Sequence, residues 1–357
     1  MPDLIGLAPT TATEVGALPP SPRVAATPVD AARHLVFLDG WRGLAITSLL
    51  LGHFFDDLGA DSRLGINCGR LGVELFFVLS GVLMGRLLFV KRVPLGLFYK
   101  RRISRIVPVL VVYVLAITAY LLARGHAHPG RAVLSTAFLV FNYFGHAPGT
   151  PHQYGHLWSI CIEEHGYLAL GLVAVIAPRL RIAPQRMIAI LVVLVWLFAA
   201  GYTAFTHWDY YDLFWRSEAR LGGIFGSAGL AAWLARRGRP VLGGGAAVAA
   251  FALGVVLQAA FVPDLAKYTL GTLCLSLAVV HLEWAPPWFL KAFELPLLTR
   301  LGVLSYSIYL WQQPFYAFGL DHPGLRLATL PAALVTGVLS FTFLEKPTRA
   351  WLTARWG

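Results

Sequence analysis

Residues 71–124 read LGVELFFVLSGVLMGRLLFV, then KRVPLGLFYKRRISRI, then VPVLVVYVLAITAYLLAR. The outer pieces are apolar runs of about the 20 residues that an α-helix needs to cross a hydrocarbon core of about 30 Å. The middle piece gathers Lys91, Arg92, Lys100, Arg101, Arg102 and Arg105. A span, a basic loop and a second span mark a polytopic membrane protein, whose cytoplasmic loops concentrate Lys and Arg.

The rest of the chain follows the same pattern. Hydrophobic residues make up 57% of the 357 residues and charged ones 13%, against about a quarter charged in a soluble domain. Lipid is the solvent that can cover so apolar a surface. Spans are predicted at 36–55, 71–90, 107–124, 156–178, 187–205, 219–235, 241–262, 266–283, 300–319 and 326–344. The piece 132–145 is apolar but short.

The basic loop is placed in the cytoplasm, which puts the Asp56–Arg70 loop, with Asp56, Asp57 and Asp61, outside. Arg179, Arg181 and Arg186, and then Arg236, Arg237 and Arg239, fall inside only if 132–145 does not cross. The expectation is an all-α polytopic bundle of about ten transmembrane helices plus that short non-crossing segment. Both termini would be cytoplasmic. The Ala-, Arg- and Gly-rich composition points to a bacterial inner membrane.

Residues 1–34 lack a basic segment leading into an apolar one, and read as a disordered cytoplasmic tail rather than a cleaved signal. Residues 35–348 form the membrane domain, and 349–357 a second cytoplasmic tail. The net charge of +11 sits between apolar runs, so topology accounts for it and nucleic acid is not expected. Cys68, Cys161 and Cys274 are too scattered for a disulfide framework or a metal site. Cys161 and Cys274 read as small buried hydrophobes, and Cys68 as a loop residue without a role.

Ionisable side chains within lipid are costly, so those inside the runs are the functional candidates. In the first span Arg42 and His53 lie eleven residues apart, on one helical face and about 16 Å apart along the axis. Asp39 falls near the same stripe. Arg42 is either a buried functional cation or a side chain snorkelling to the interface. His53 is a general-base candidate, because a neutral imidazole is the usual base near neutral pH.

Glu74 lies near the level of His53, where it either orients the imidazole or sits at the interface. Gly81 and Gly85 are spaced for close helix packing. Arg101 and Arg105 share a helix face beside Arg102, which suits phosphate groups or anionic lipid. The stretch 156–165, HLWSICIEEH, sets Ser159 and Glu163 on one face, with Trp158, Glu164 and His165 beside them. Late in the chain Ser305, Tyr309 and Gln312 form a polar stripe next to Tyr306, able to bind a hydroxylated molecule or to join helices.

Six stretches together resemble the acyltransferase-3 family of membrane acyltransferases. They are LDGWRGLAI with His53 beyond it, GVELFFVLSG, FYKRRISRIVP, WSICIEEHGY, LGVLSYSIYLWQQPF and Glu345-Lys346-Pro347, in that order across residues 35–348. The resemblance implies transfer of an acyl group, most often acetyl, from acyl-CoA to a hydroxyl of a polysaccharide, glycolipid, peptidoglycan or glycosylated metabolite. By the same resemblance Arg42 and His53 match the family's essential pair, Arg102 and Arg105 its RxxR pair, and Glu163 the first carboxylate of its WSLxVEEQFY-like motif. Glu74 stands where aspartate is commoner, His165-Gly166 replaces Gln-Phe, and Gln312 stands where many members have histidine.

The expected chemistry assigns catalysis to His53, Glu163 and Arg42, and donor phosphates to Arg101, Arg102 and Arg105. Asp39, Glu74, Ser80, Trp158, Glu164, His165, Ser305, Tyr306, Tyr309 and Gln312 are assigned to the acceptor or to support. No resident cofactor or metal is expected. Acyl-CoA is a co-substrate, and the partners are a hydroxylated glycan, lipid-linked sugar or metabolite, and the bilayer. Direct transfer and a covalent acyl-enzyme at His53 or Ser80 both fit the residues. The same buried charges would also serve a transporter or flippase, though the chain shows no internal repeat of the kind many transporters carry.

Overall fold

A computed structural model describes residues 28–55, 65–126, 129–205 and 213–356, with side chains from Val36 onward. It is 83% helical, and the described residues contain no strand beyond an isolated bridge between Ile66 and Ala259. The longer helices are α1 (Pro28–Phe54), α2 (Cys68–Val90), α3 (Leu95–Ala123), α4 (Leu157–Arg179), α5 (Pro184–Phe205) and α6 (Gly222–Arg237). After them come α7 (Gly244–Val256), α8 (264–280), α9 (Pro296–Asp321) and α10 (Leu327–Trp356).

Five of these are long and apolar enough to cross a membrane: α2, α3, α5, α10, and the helical stretch His152–Arg179 that contains α4. Their outward faces explain why. Leu115 on α3 is 63% exposed, Leu172 on α4 60%, Leu197 on α5 63% and Phe343 on α10 75%. Each fully buried side chain of this size contributes about 1.5–3 kcal/mol, so faces like these are stable against acyl chains rather than water. The chain is a membrane protein.

Segment 132–145 does not form a spanning helix. It splits into Gly130–Ala137 and Phe141–Phe144, separated by Leu139 at φ 58°. At 1.5 Å per residue neither piece approaches the bilayer thickness. Cys68, read from sequence as a loop residue, is instead the buried first residue of α2, and its carbonyl accepts a hydrogen bond from Ser48 Oγ at 2.9 Å. Residues 1–27 of the predicted tail, and the acidic positions Asp56, Asp57 and Asp61, lie outside the described residues.

Helix α1 is the post of the bundle. It packs through glycines along α9 and the short helix before it: a Cβ at Gly43 would overlap the carbonyl of Leu298 and one at Gly302 that of Asp39, while one at Gly40 would overlap the carbonyl of Phe293, just ahead of α9. Such small-residue contacts let two backbones touch where lipid offers no hydrophobic drive to associate. Trp41, fully buried, donates its Nε1–H to the Leu75 carbonyl at 2.9 Å and stacks on Phe293 at 5.6 Å, which ties α1 to α2. Gly81 and Gly85 do on α2 what their spacing predicts. A side chain at either would strike α6, at Ser227 and Ile224 or at Ala228.

Candidate functional site

Five helices, α1, α2, α3, α4 and α9, surround an open cavity. Arg42 enters it from α1, Ser80 from α2, Arg102 and Arg105 from α3, Ser159 and Glu163 from α4, and Ser305, Tyr306 and Tyr309 from α9. Its remaining walls are largely apolar, including Phe76, Phe77 and Ile106. Nine of the residues singled out by sequence thus converge on one space, counting Ser159.

The guanidinium groups dominate the polar lining. Asp39 pairs with Arg42 at 2.5 Å and Glu164 with Arg102 at 3.6 Å, yet neither carboxylate lines the cavity. Arg102 also lies over the Tyr167 ring at 3.8 Å, and its Nε is buried with no hydrogen-bond partner among the described residues. Glu345 is buried and accepts a hydrogen bond from Ser307 Oγ at 2.7 Å. Each guanidinium carries five N–H donors in a planar fork, so the single carboxylate beside Arg42 and beside Arg102 does not use all of them. Arg101, although it shares a helix face with Arg105, is exposed and does not line the cavity.

Glu163 is held as an acceptor. Ser80 Oγ and Tyr167 Oη both donate to its Oε1, the latter at 2.6 Å. At the far side Tyr309 Oη donates to the His156 carbonyl at 2.5 Å and shares a hydrogen bond of 2.6 Å with Ser159 Oγ. Tyr306 Oη donates to the Ile106 carbonyl at 2.7 Å, which joins α9 to α3.

His53 does not line the cavity. It sits near the end of α1, beyond Tyr309 and Gln312, stacked on Tyr316 at 4.2 Å. Its Nδ1 lies 2.9 Å from Gln312 Oε1. The Gln312 amide nitrogen has two acceptors, Gln313 Oε1 at 3.1 Å and the Tyr309 carbonyl at 3.4 Å. That pair fixes the amide with its oxygen toward the histidine, so Nδ1 carries the proton and the lone pair falls on Nε2. This is the tautomer a general base at Nε2 requires.

Other expectations resolve differently. Glu74 neither orients His53 nor sits at an interface. It is buried against Arg220, which also lies 3.5 Å from the Tyr268 ring centroid, and it accepts a hydrogen bond from Thr272 Oγ1 at 2.8 Å. A side chain that does contact the His53 ring nitrogen is Gln312. Trp158 stacks on Trp215 at 5.9 Å, and His165 Nδ1 lies 2.6 Å from Ser217 Oγ, so both serve packing outside the cavity. Sequence reasoning passed over Arg220, Tyr167 and Tyr316. Arg220, a charged residue at the start of the span predicted over 219–235, carried a signal that the two aromatic residues did not.

A family model described as an acyltransferase domain, Acyl_transf_3, matches residues 35–344. The chain belongs to this acyltransferase family. Over 358 aligned residues it is 25% identical to peptidoglycan O-acetyltransferase OatA of Listeria monocytogenes, covering 89% of this chain and 56% of that protein. It is 24% identical to SACOL0978, a provisionally named O-acetyltransferase of Staphylococcus aureus strain COL, covering 89% and 58%. It is 26% identical to BcsY, a provisionally named membrane-bound transacylase of Komagataeibacter xylinus, covering 87% and 81%. The chain therefore spans little more than half the length of the first two relatives. No solved structure matches it.

Proposed function

We propose that this protein is a membrane O-acyltransferase that moves an acyl group, acetyl in the simplest case, from acyl-CoA to a hydroxyl of a glycan, lipid-linked sugar or glycosylated metabolite. The observation that carries this reading is the cavity itself: three arginines and one acceptor carboxylate in an apolar space walled by five helices, with a tautomer-fixed histidine beyond it. Arg102 and Arg105 hold the phosphates of the nucleotide end by charge-assisted hydrogen bonds. The pantetheine arm runs past Arg42 and Tyr309 toward His53, over the roughly 16 Å that separates Arg42 from His53 along α1.

At His53 the acceptor hydroxyl gives its proton to Nε2 as its oxygen attacks the thioester carbonyl carbon. The carbon–sulfur bond then breaks, and the thiolate recovers the proton from the imidazolium. Glu163, held by Ser80 and Tyr167, stands as an acceptor beside the arginines. The Listeria relative's name specifies peptidoglycan, which favours a polymeric amino-sugar acceptor here as well.

The arrangement in the membrane follows the charge pattern. About ten helices cross, the basic α2–α3 connection and both termini face the cytoplasm, and the protein lies in a bacterial inner membrane. The test is turnover by purified protein in lipid nanodiscs, given acetyl-CoA labelled in the acetyl group. Release of CoA thiol and label transfer to a saccharide, both lost in His53→Ala, are expected. A transporter or flippase would release no thiol from either protein.

A further inference from the structure

His156, at the start of α4, is an anomaly in this core. It is 5% exposed, and both its ring nitrogens are buried without a hydrogen-bond partner among the described residues. An unpaired buried polar atom costs about 1–3 kcal/mol, and native interiors hold few of them. Here one imidazole holds two. Its ring is wedged between Tyr113, edge-on at 5.3 Å, and Tyr309, tilted at 5.1 Å. Neither tyrosine hydroxyl satisfies it: Tyr113 Oη donates to the Gln153 carbonyl at 2.5 Å, and Tyr309 Oη to the backbone carbonyl of His156 itself.

The surroundings repeat the pattern. Trp311, whose ring packs against Tyr113 at 5.3 Å, also has a buried Nε1–H without a partner among the described residues. One residue links this pocket to the base: Tyr309, whose ring tilts over His156, gives its backbone carbonyl to the Gln312 amide that contacts His53. Unmet donors and an unmet acceptor therefore gather beside the base, in a setting where apolar packing would have been the stable choice for purely structural residues. A neutral imidazole offers one donor and one acceptor. A hydroxyl being deprotonated by His53 Nε2 needs a donor for the negative charge that develops on its oxygen.

We propose that His156 is a second catalytic histidine, which contacts the acceptor: its N–H donates to the acceptor hydroxyl oxygen while His53 Nε2 removes that hydroxyl's proton. The inference rests on the acyl-transfer reading and adds to it a residue assigned to the acceptor rather than to the donor. No further reactant enters. The oxygen–hydrogen bond breaks to His53, the carbon–oxygen ester bond forms, and the thiol leaves with the proton. His156 keeps its own proton throughout and stabilises the alkoxide as it forms.

The experiment uses the full chain in nanodiscs, as wild type, His156→Phe, His156→Asn and His53→Ala, with acetyl-CoA as donor and methyl β-N-acetylglucosaminide as acceptor probe. Loss of one donor to a developing oxyanion lowers turnover by about 100- to 1000-fold. His156→Phe is expected to lose kcat by that factor with an unchanged KM for acetyl-CoA, and His156→Asn, which keeps an N–H donor, to recover part of it. Full kcat in His156→Phe would overturn the proposal, as would equal losses in Phe and Asn variants whose KM for acetyl-CoA has also risen.

A binding readout separates this from the function reading. Ring-nitrogen NMR of histidine-labelled His53→Ala protein should show the His156 signals shifting when the saccharide probe is added. Signals that stay fixed, reporting resident water alone, would refute the role of His156 even if acyl transfer is real. Shifting signals in a wild-type protein that releases no thiol would keep the acceptor contact and defeat the acyl-transfer reading.

Discussion

Gln312 is the most informative single position in the site. Its side-chain oxygen accepts the His53 Nδ1–H at 2.9 Å, and its nitrogen is anchored to Gln313 Oε1 and the Tyr309 carbonyl. Gln312→Leu keeps the volume and removes the acceptor. Two costs follow. The imidazole loses a neutral hydrogen bond of about 1 kcal/mol that selects its tautomer. Its Nδ1–H also faces a partner that cannot accept, in a slot closed by the Tyr316 ring. Together these come to about 1–3 kcal/mol of misdirected base, or about 5- to 150-fold in kcat. CoA thiol release in nanodiscs would measure it. The KM for acetyl-CoA should hold, because Gln312 does not line the cavity. Wild-type kcat in a folded Gln312→Leu protein would show that His53 is oriented by something else, and the tautomer argument would fall.

Other outcomes follow from the same geometry. His53→Ala should abolish turnover and still bind acetyl-CoA within about threefold, measured by calorimetry, since the donor site lies elsewhere in the bundle. Arg102→Gln and Arg105→Gln should each weaken acetyl-CoA binding by about 10- to 100-fold, the scale of one charge-assisted hydrogen bond, whereas exposed Arg101→Gln should change it less than threefold; equal losses at all three would mean that diffuse charge holds the donor. Arg220→Ala leaves Glu74 charged and buried, and should destabilise the protein by about 3–5 kcal/mol in denaturant unfolding, with most of the loss recovered when Glu74→Gln is added.

The helices were legible because their signal is local. Each predicted span has a helix over it, five of them within helical stretches long and apolar enough to cross, and the break of 132–145 into two short helices agrees with its short length. Boundaries were less so. The span predicted from 107 begins at Leu95, because Lys100, Arg101, Arg102 and Arg105 are good helix formers and sustain the helix through the charged segment. The span predicted over 241–262 shortens to Gly244–Val256. Within the site, Glu163 was expected to face a cavity, Arg42 was left between interior and interface, and Arg102 and Arg105 were read as a cytoplasmic-surface cluster; all four line the cavity. Pairings did not follow. Glu74 finds Arg220 at a separation of 146 residues and His53 finds Gln312 at 259, choices made by how helices pack and not by spacing along the chain.

The glycine-lined seam between α1 and α9 also limits how a substrate can enter. The base, the amide that fixes its proton and the first cavity arginine all ride on these two helices, whose backbones touch and leave no slack for sliding. Widening the passage at Tyr309 must then come from α3 and α4, which contribute Tyr113, His156 and Ser159 from the opposite wall. Crosslinks introduced across α1 and α9 should leave turnover intact, and those that pin α4 to α9 should stop it.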